Sequence, residues 1–239
     1  MDIVYVCKKS WGHENELRFS LRSAERNLKF DKVFIFGHKA SFLNDKVIHV
    51  SGGDTSKDKF VNVARKISMI VDDQRISDDF IYMNDDFFIL KEYPTIPYYC
   101  NKSIRAWVDS TDTKESFKGT KWHQNIHDLY KTFPEGMFFE THFPIVYNKQ
   151  LLKDVIEKYG ISQSSTIRSH YCNEYKDRLE FEETEDHKIY NPEELKELKT
   201  YKEFLSTTDL MANHSLFKGF MGSRFSTPSS YEVVKIINK

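Results

Sequence analysis

The 239-residue chain has little of what marks a secreted, membrane-spanning or strongly charged protein. Its three cysteines, Cys7, Cys100 and Cys172, are widely scattered and form neither a CxxC pair nor a Cys/His metal spacing. That argues against a disulfide framework and for reduced thiols. No apolar run approaches the ~20 residues needed to cross a bilayer. The N-terminal run Ile3–Val6 is too short for a signal peptide and lacks its basic flank, so a cytoplasmic protein is expected. A formal net charge of −1 gives no global attraction to nucleic acid or anionic membrane, although a local basic groove can sit inside a neutral total. No internal repeat, low-complexity tract or interdomain linker interrupts the chain.

What is present is an ordinary globular composition with many aromatics, 15% of the residues, which serve either a packed core or a site that stacks rings. Ile3–Val6 reads as a buried strand and Lys8–His13 as a polar loop. Leu17, Leu21, Ala24 and Leu28 then recur at helical spacing. Val33–Phe36 and Val47–Val50 read as strands, the second closed by Gly52-Gly53-Asp54. A helix from Asp58 carries Phe60, Val63, Ala64, Ile67 and Ile70 on one face, and Asp79–Met83 is the next strand.

This alternation predicts an α/β fold, a mostly parallel sheet flanked by helices, in a single domain over 1–239. Residues 1–93 form its ligand-binding half and 94–239 an acceptor-side half with a C-terminal helical part. Ligands of such sheets bind beyond the carboxyl ends of the strands. The Cys7–His13 loop and the Asn84–Asp86 turn both fall there. Residues 94–140 read as an insertion that shapes an acceptor pocket or as a layer that covers the sheet. Leu151–Tyr159 reads as a short helix, and the Glu/Lys-rich stretch 173–203 as a solvated helix face.

Asn84-Asp85-Asp86 sits between the apolar stretches Phe80–Met83 and Phe87–Leu90. Carboxylates so flanked are costly unless paired or bound to a cation. A hard divalent ion, Mn²⁺ or Mg²⁺, solves that problem and also neutralises a diphosphate leaving group. A strand ending this way is a mark of GT-A-type glycosyltransferases with nucleotide-sugar donors. An acidic turn that caps the next element, or a metal-dependent nuclease, fits the same residues. On the preceding helix, Lys59, Asn62, Arg65 and Lys66 offer cations and an amide for donor phosphates or sugar hydroxyls, or else form an ordinary basic face.

Five stretches resemble blocks of the Stealth proteins, which transfer hexose-1-phosphate from nucleotide sugars. Asn15-Glu16-Leu17-Arg18-Phe19-Ser20-Leu21-Arg22-Ser23 is similar to the family's second block, and Phe80–Phe88 to the later part of it. Thr141-His142-Phe143-Pro144 is similar to the third block. Phe204–Asp209 and Phe225–Glu232 are similar to the fourth. The family's first block, a strand followed by Trp-Val-Asp-Gly-Ser-Asp, is replaced by Cys7-Lys8-Lys9-Ser10-Trp11-Gly12, which lacks its acids. The resemblance implies a nucleotide-sugar donor. It leaves open attack at the anomeric carbon or at phosphorus.

The site expected from these readings has Asp85, Asp86 and His214 on the metal, and Glu16, Asp86, His142 and Arg168 as catalytic groups. Val6, Lys8, Asn15, Arg18, Arg22, Lys59, Asn62, Arg65 and Asn84 face the donor. Glu16 is a candidate base for the acceptor hydroxyl, or it complements the helix dipole. Arg18 and Arg22 reach donor phosphates, or pair with Glu14 or Glu25. His142 serves as metal ligand or base, and Arg168 stabilises charge on the leaving diphosphate. Asp209 is a weaker candidate, and Pro228–Glu232 reads as architectural.

The acceptor is a glycan, a wall precursor or a hydroxylated base in phage DNA. For the last, Lys114, Lys118, Lys121, Trp122 and His123 would line a groove. A Stealth-type sugar-1-phosphate transferase is the alternative enzyme. A metal-dependent nuclease and a non-catalytic carbohydrate-binding module are the readings from other classes.

Overall fold

The computed structural model describes residues 1–9, 14–161, 164–185 and 187–233, so Ser10–His13 of the expected polar loop lie outside the described residues. The chain runs β1 (Asp2–Cys7), α1 (Asn15–Asn27), β2 (Val33–Gly37), β3 (Val47–Val50), α2 (Lys59–Asp72) and β4 (Asp79–Asn84). It continues through β5 (Phe87–Ile89), β6 (Tyr98–Cys100), α3 (Ile104–Asp112), α4 (Lys121–Thr132), β7 (Ile145–Asn148), α5 (Lys149–Tyr159) and α6 (Ile167–Glu174). It closes with β8 (Phe181–Glu183), β9 (Lys188–Ile189), β10 (Phe204–Thr207), α7 (Asp209–Ala212) and α8 (Ser215–Arg224).

The main sheet has the order β3-β2-β1-β4-β7, with β1 to β4 parallel and β7 antiparallel on the edge. All six residues of β1 are buried, and the pleat divides them between two cores. Ile3, Tyr5 and Cys7 join Leu17, Leu21 and Ala24 of α1, whereas Val4 and Val6 join Ala64, Ile67 and Ile70 of α2 and Leu152 of α5. Each large apolar side chain so buried contributes about 1.5–3 kcal/mol. The period-two strand and the period-3.6 helices therefore agree on one sandwich of helices around a sheet.

At Asn84 the chain leaves this sheet, and at Phe87 it enters a second, smaller one, β5-β10-β9. Asp85 and Asp86 are the whole of the link. The small sheet rests on a third core of Phe88, Leu90, Leu205, Phe217 and Met221. That core also takes Leu195 and Leu198, which lie in a 3-10 helix, Glu194–Thr200. The Glu/Lys-rich stretch is thus not one solvated helix. It is broken into short strands and 3-10 turns, because its few apolar residues cover the small sheet. Residues 94–140 fold as β6 and the pair α3–α4 around Ile104, Val108, Ile126, Leu129 and Phe138. Among the described residues no helix is long and apolar enough to cross a membrane, and all three cysteines are free and buried.

Candidate active site

The carboxyl ends of β1, β2 and β4 meet at one edge, where Val6 pairs with Asn84 and Cys7 with Gly37. Gly37 has φ 107°, and a Cβ there would stand 2.1 Å from the Cys7 carbonyl oxygen, so only glycine lets these strand ends close up. Lys66 reaches the same edge from α2. Its ammonium is 1% exposed and donates to the Cys7 carbonyl at 2.9 Å and to Asp54 Oδ1 at 2.5 Å. This lysine ties the loop after β3 to the end of β1.

Four carboxylates gather beyond that edge. Glu16 lies in the first turn of α1, Asp85 and Asp86 between the two sheets, and Asp209 at the start of α7. Glu16 is 5% exposed, and among the described residues its Oε1 is buried without a hydrogen-bond partner, as is Thr207 Oγ1. Burial pushes the Glu16 carboxyl up to about 9, and Asp85, Asp209 and Asp86 push in the same direction. Burial also raises Asp85 to about 7, with Asp86 and Asp209 adding to the rise and Lys8 opposing it. Asp86 Oδ2 accepts from Lys188 Nζ at 2.8 Å and from Ser206 Oγ at 3.1 Å. Lys8 Nζ stands 4.0 Å from Asp209 Oδ2. Lys8, Glu16, Asp85 and Cys7 line one small pocket with Glu14 and His38.

The start of α1 is left free of a side-chain cap. Glu14, the residue before the helix, has φ 56°, a left-handed conformation that costs on the order of 1 kcal/mol. Its carboxylate accepts from Ser41 N at 2.8 and 2.9 Å and from Ser41 Oγ at 2.8 Å rather than from the helix amides. Helix N-termini of this kind attract anions. Asn15, the first helical residue, donates to Asn213 Oδ1 at 3.0 Å and so joins α1 to the residue before His214. His214 is half-buried, caps α8 and accepts from Leu216 N through Nδ1 at 3.2 Å, which leaves Nε2 for another partner.

The remaining candidates lie elsewhere. Arg18 and Arg22 do not reach toward the edge. Both hold the buried Glu232, Arg18 Nη1 at 2.6 Å and Arg22 Nε and Nη2 at 2.6 and 2.8 Å. They pair with Glu232 and not with Glu14 or Glu25, because the C-terminal segment folds back over this face of α1. Arg168 is 7% exposed and donates from Nη1 to the carbonyls of Thr141 (2.9 Å) and Phe143 (2.7 Å). It therefore braces the backbone on both sides of His142, whose ring meets the Phe87 ring edge-on at 6.1 Å.

On α2, Asn62 is occupied by the loop before it, accepting from Ser56 N at 2.9 Å and donating to Ser56 O at 2.8 Å. Lys59 and Arg65 are exposed, with Lys59 over the Phe60 ring. The residues read as a basic groove have local partners here. Lys118 pairs with Glu115, Lys121 with Asp58, and Trp122 stacks on Phe60. Sequence reasoning placed Lys66 on a basic face of α2 without finding its partners Cys7 and Asp54, and did not find Lys188 or Ser206 as site-builders. Each reaches its partner from a distant element, and no local pattern signals that.

The arrangement is a mixed α/β fold of the GT-A-like kind, with its acidic centre beyond a parallel sheet. It is similar to the crystal structure of the galactosyltransferase LgtC in complex with donor and acceptor sugar analogs. The two align over 96% of this chain and 98% of that one, with a TM-score of 0.52 and 9% sequence identity. A structure of an active-site mutant of LgtC aligns over 97% of this chain and 85% of its own, with a TM-score of 0.46 and 10% identity. No protein-family model matches the sequence. No curated protein matches it either.

Proposed function

We propose that this protein is a glycosyltransferase that moves a sugar from a nucleoside-diphosphate donor to a hydroxyl acceptor with the help of a divalent cation, Mn²⁺ or Mg²⁺. One observation carries the reading. Four carboxylates crowd the carboxyl edge of a fold like that of LgtC, two of them held well above the ordinary carboxylate range. Lys188 and Lys8 offset only part of this negative charge, and among the described residues a Glu16 oxygen and the Thr207 hydroxyl are buried without a partner. Oxygen ligands from Asp85 and Asp86, completed by His214 Nε2, suit a hard or borderline divalent ion. A bound ion would neutralise the diphosphate as the bond from its oxygen to the anomeric carbon breaks.

The chain's own groups supply the rest. The uncapped N-terminus of α1 and Lys8 face the donor's negative charge. Lys188 and Ser206 hold Asp86 in one orientation, and Arg168 positions the His142 backbone instead of meeting the leaving group. His142 is then the candidate base for the acceptor hydroxyl. Glu16 holds its proton through neutral pH in the absence of a cation, the reverse of what a base needs, and a cation beside it would favour its release.

The five Stealth-like stretches support the alternative, transfer of sugar-1-phosphate, which uses the same donor and differs in the bond broken. Incubation with a panel of nucleotide sugars and Mn²⁺ tests both readings by product analysis. Nucleoside diphosphate release with a glycosidic product supports glycosyl transfer. A phosphodiester product with nucleoside monophosphate release supports the alternative, and degradation of a plain oligonucleotide would instead favour a nuclease. The acceptor is a glycan, a wall precursor or a hydroxylated base in phage DNA. Glycan and DNA acceptors supplied to the loaded enzyme separate these.

A further inference from the structure

A second cluster of metal-type side chains lies outside the carboxylate site, on the pair α3–α4. His123 and His127, four residues apart, share one face of α4. Asp112, the last residue of α3, meets that face. Its Oδ1 lies 2.7 Å from His123 Nε2 and 2.8 Å from His127 Nε2, and the two Nε2 atoms are 3.2 Å apart. Among the described residues this is the one trio of His, Cys, Asp or Glu whose ligand atoms all lie within 4.8 Å of one another.

Hydrogen bonding explains this arrangement poorly. If both rings are neutral and each donates to Asp112, two N–H groups converge on one oxygen and stand almost in contact with each other. If both rings are protonated, two cations lie side by side with a single carboxylate between them. If one ring turns its lone pair inward, its contact with the carboxylate becomes repulsive. A cation at the centre removes the conflict, because three lone pairs can then point at one positive charge. Zinc–nitrogen bonds of ~2.0–2.1 Å in a tetrahedron put two ligand nitrogens ~3.3 Å apart, close to the observed separation. For tetrahedral angles at a metal–oxygen distance of ~2.0–2.2 Å, the carboxylate oxygen must withdraw from the two nitrogens by about half an ångström. Asp112 can do so, being 47% exposed at the end of its helix.

We propose that Asp112, His123 and His127 bind a transition-metal ion of the Zn²⁺ class, with water in the fourth position. Two imidazoles and one carboxylate favour Zn²⁺ or Co²⁺ over Mg²⁺, which takes oxygen ligands. The ion would clamp the end of α3 to the first two turns of α4, a pair otherwise held by a small apolar cluster. The start of α4 in turn meets the start of α2, through Lys121 with Asp58 at 2.6 Å and Trp122 stacked on Phe60. The clamp therefore steadies a wall next to the carboxyl edge of the main sheet. It stands apart from the Asp85–Asp86 centre and does not depend on the function proposed for it.

The test titrates chelator-stripped full-length protein with Zn²⁺ against a chromophoric chelator, and with Co²⁺ while recording its visible spectrum. It compares the wild type with His127→Gln, Asp112→Asn and the double variant Asp85→Asn/Asp86→Asn. The site requires one equivalent of Zn²⁺ and an intense tetrahedral Co²⁺ band, both retained when Asp85 and Asp86 are replaced. His127→Gln and Asp112→Asn should each weaken Zn²⁺ binding by at least ~10-fold, since even loss of an outer-shell partner costs that much. Circular dichroism checks that these variants are folded. Absence of Zn²⁺ binding in the wild type overturns the proposal. So does binding that survives His127→Gln and Asp112→Asn, or binding that is lost only with Asp85 and Asp86.

Discussion

Asp85 and Glu16 line the same pocket from two elements, one just beyond the end of β4 and one in the first turn of α1. The negative charge of Asp85 adds to burial in holding the Glu16 carboxyl at about 9. A site built this way is destabilised by its own charge, and the sign of that effect is measurable.

The first prediction concerns pH. Both carboxyls bind protons more tightly in the folded state than in the unfolded one, Glu16 at about 9 and Asp85 at about 7, against ordinary values near 4. Below pH ~4 both are protonated in either state and neither contributes. As pH rises from there the unfolded chain loses these protons first, so stability falls until the folded groups also titrate. Metal-free protein should therefore lose melting temperature between pH 5 and about 9, and saturating Mn²⁺ should flatten that slope. A melting temperature that rises over this range without metal would contradict the assignment.

Replacing Asp85 by Asn separates stability from function. The substitution removes one of the mutually repelling charges, so metal-free stability at pH 8 should stay level or rise by about 1 kcal/mol. Turnover and Mn²⁺-induced stabilisation should both be lost. Denaturant melts with and without Mn²⁺ read both arms, and a large destabilisation of the metal-free variant would show that Asp85 is structural.

Arg168 makes the opposite case. It is buried, bonded to two carbonyls, and its charge opposes the rise of the neighbouring Glu140, which burial still holds at about 7. Arg168→Met should cost roughly 3 kcal/mol, because the buried partners lose their donor. Urea unfolding checks this. A variant of normal stability that had lost turnover alone would return Arg168 to the leaving group.

Glu232 accepts from Arg18, Arg22 and Ser229 N. Glu232→Ala should lower stability by about 2 kcal/mol, leaving two cations without their buried partner. It should not change donor affinity by more than about twofold, a free-energy change of ~0.4 kcal/mol. Calorimetric titration of the productive nucleotide sugar decides this, and a strong loss of affinity would place Arg18 and Arg22 in the donor site.

Much of the main sheet was legible because its signals are local. Ile3–Val6, Val33–Phe36 and Val47–Val50 are dense apolar runs, and each lies within an observed strand. Asp58 stands where a helix starts, and its side chain accepts from Phe60 N at 2.8 Å. The second half was less legible. Its elements are short, and the apolar residues of the 3-10 helix around Leu195 take their places from a sheet whose strands are far apart in sequence. For the site, Asn84-Asp85-Asp86 announced itself by charge between apolar flanks. Arg18, Arg22 and Arg168 did not reveal their partners. A buried arginine beside a peptide carbonyl and one beside a phosphate look the same in sequence. The pattern Asp112, His123, His127 also escaped notice, since its three ligands straddle two helices.

The central claim is tested most directly by thermal melting of the wild type and the Asp85→Asn/Asp86→Asn variant against a panel of nucleoside diphosphates and nucleotide sugars, each with and without Mn²⁺. Ligand that binds only the folded state at 100 times its Kd should stabilise it by ~2.7 kcal/mol. A metal–nucleotide centre at Asp85 and Asp86 gives a clear upward shift for at least one nucleotide in the wild type, dependent on Mn²⁺ and absent from the variant. An equal shift in wild type and variant, or no Mn²⁺-dependent shift with any nucleotide, would contradict it.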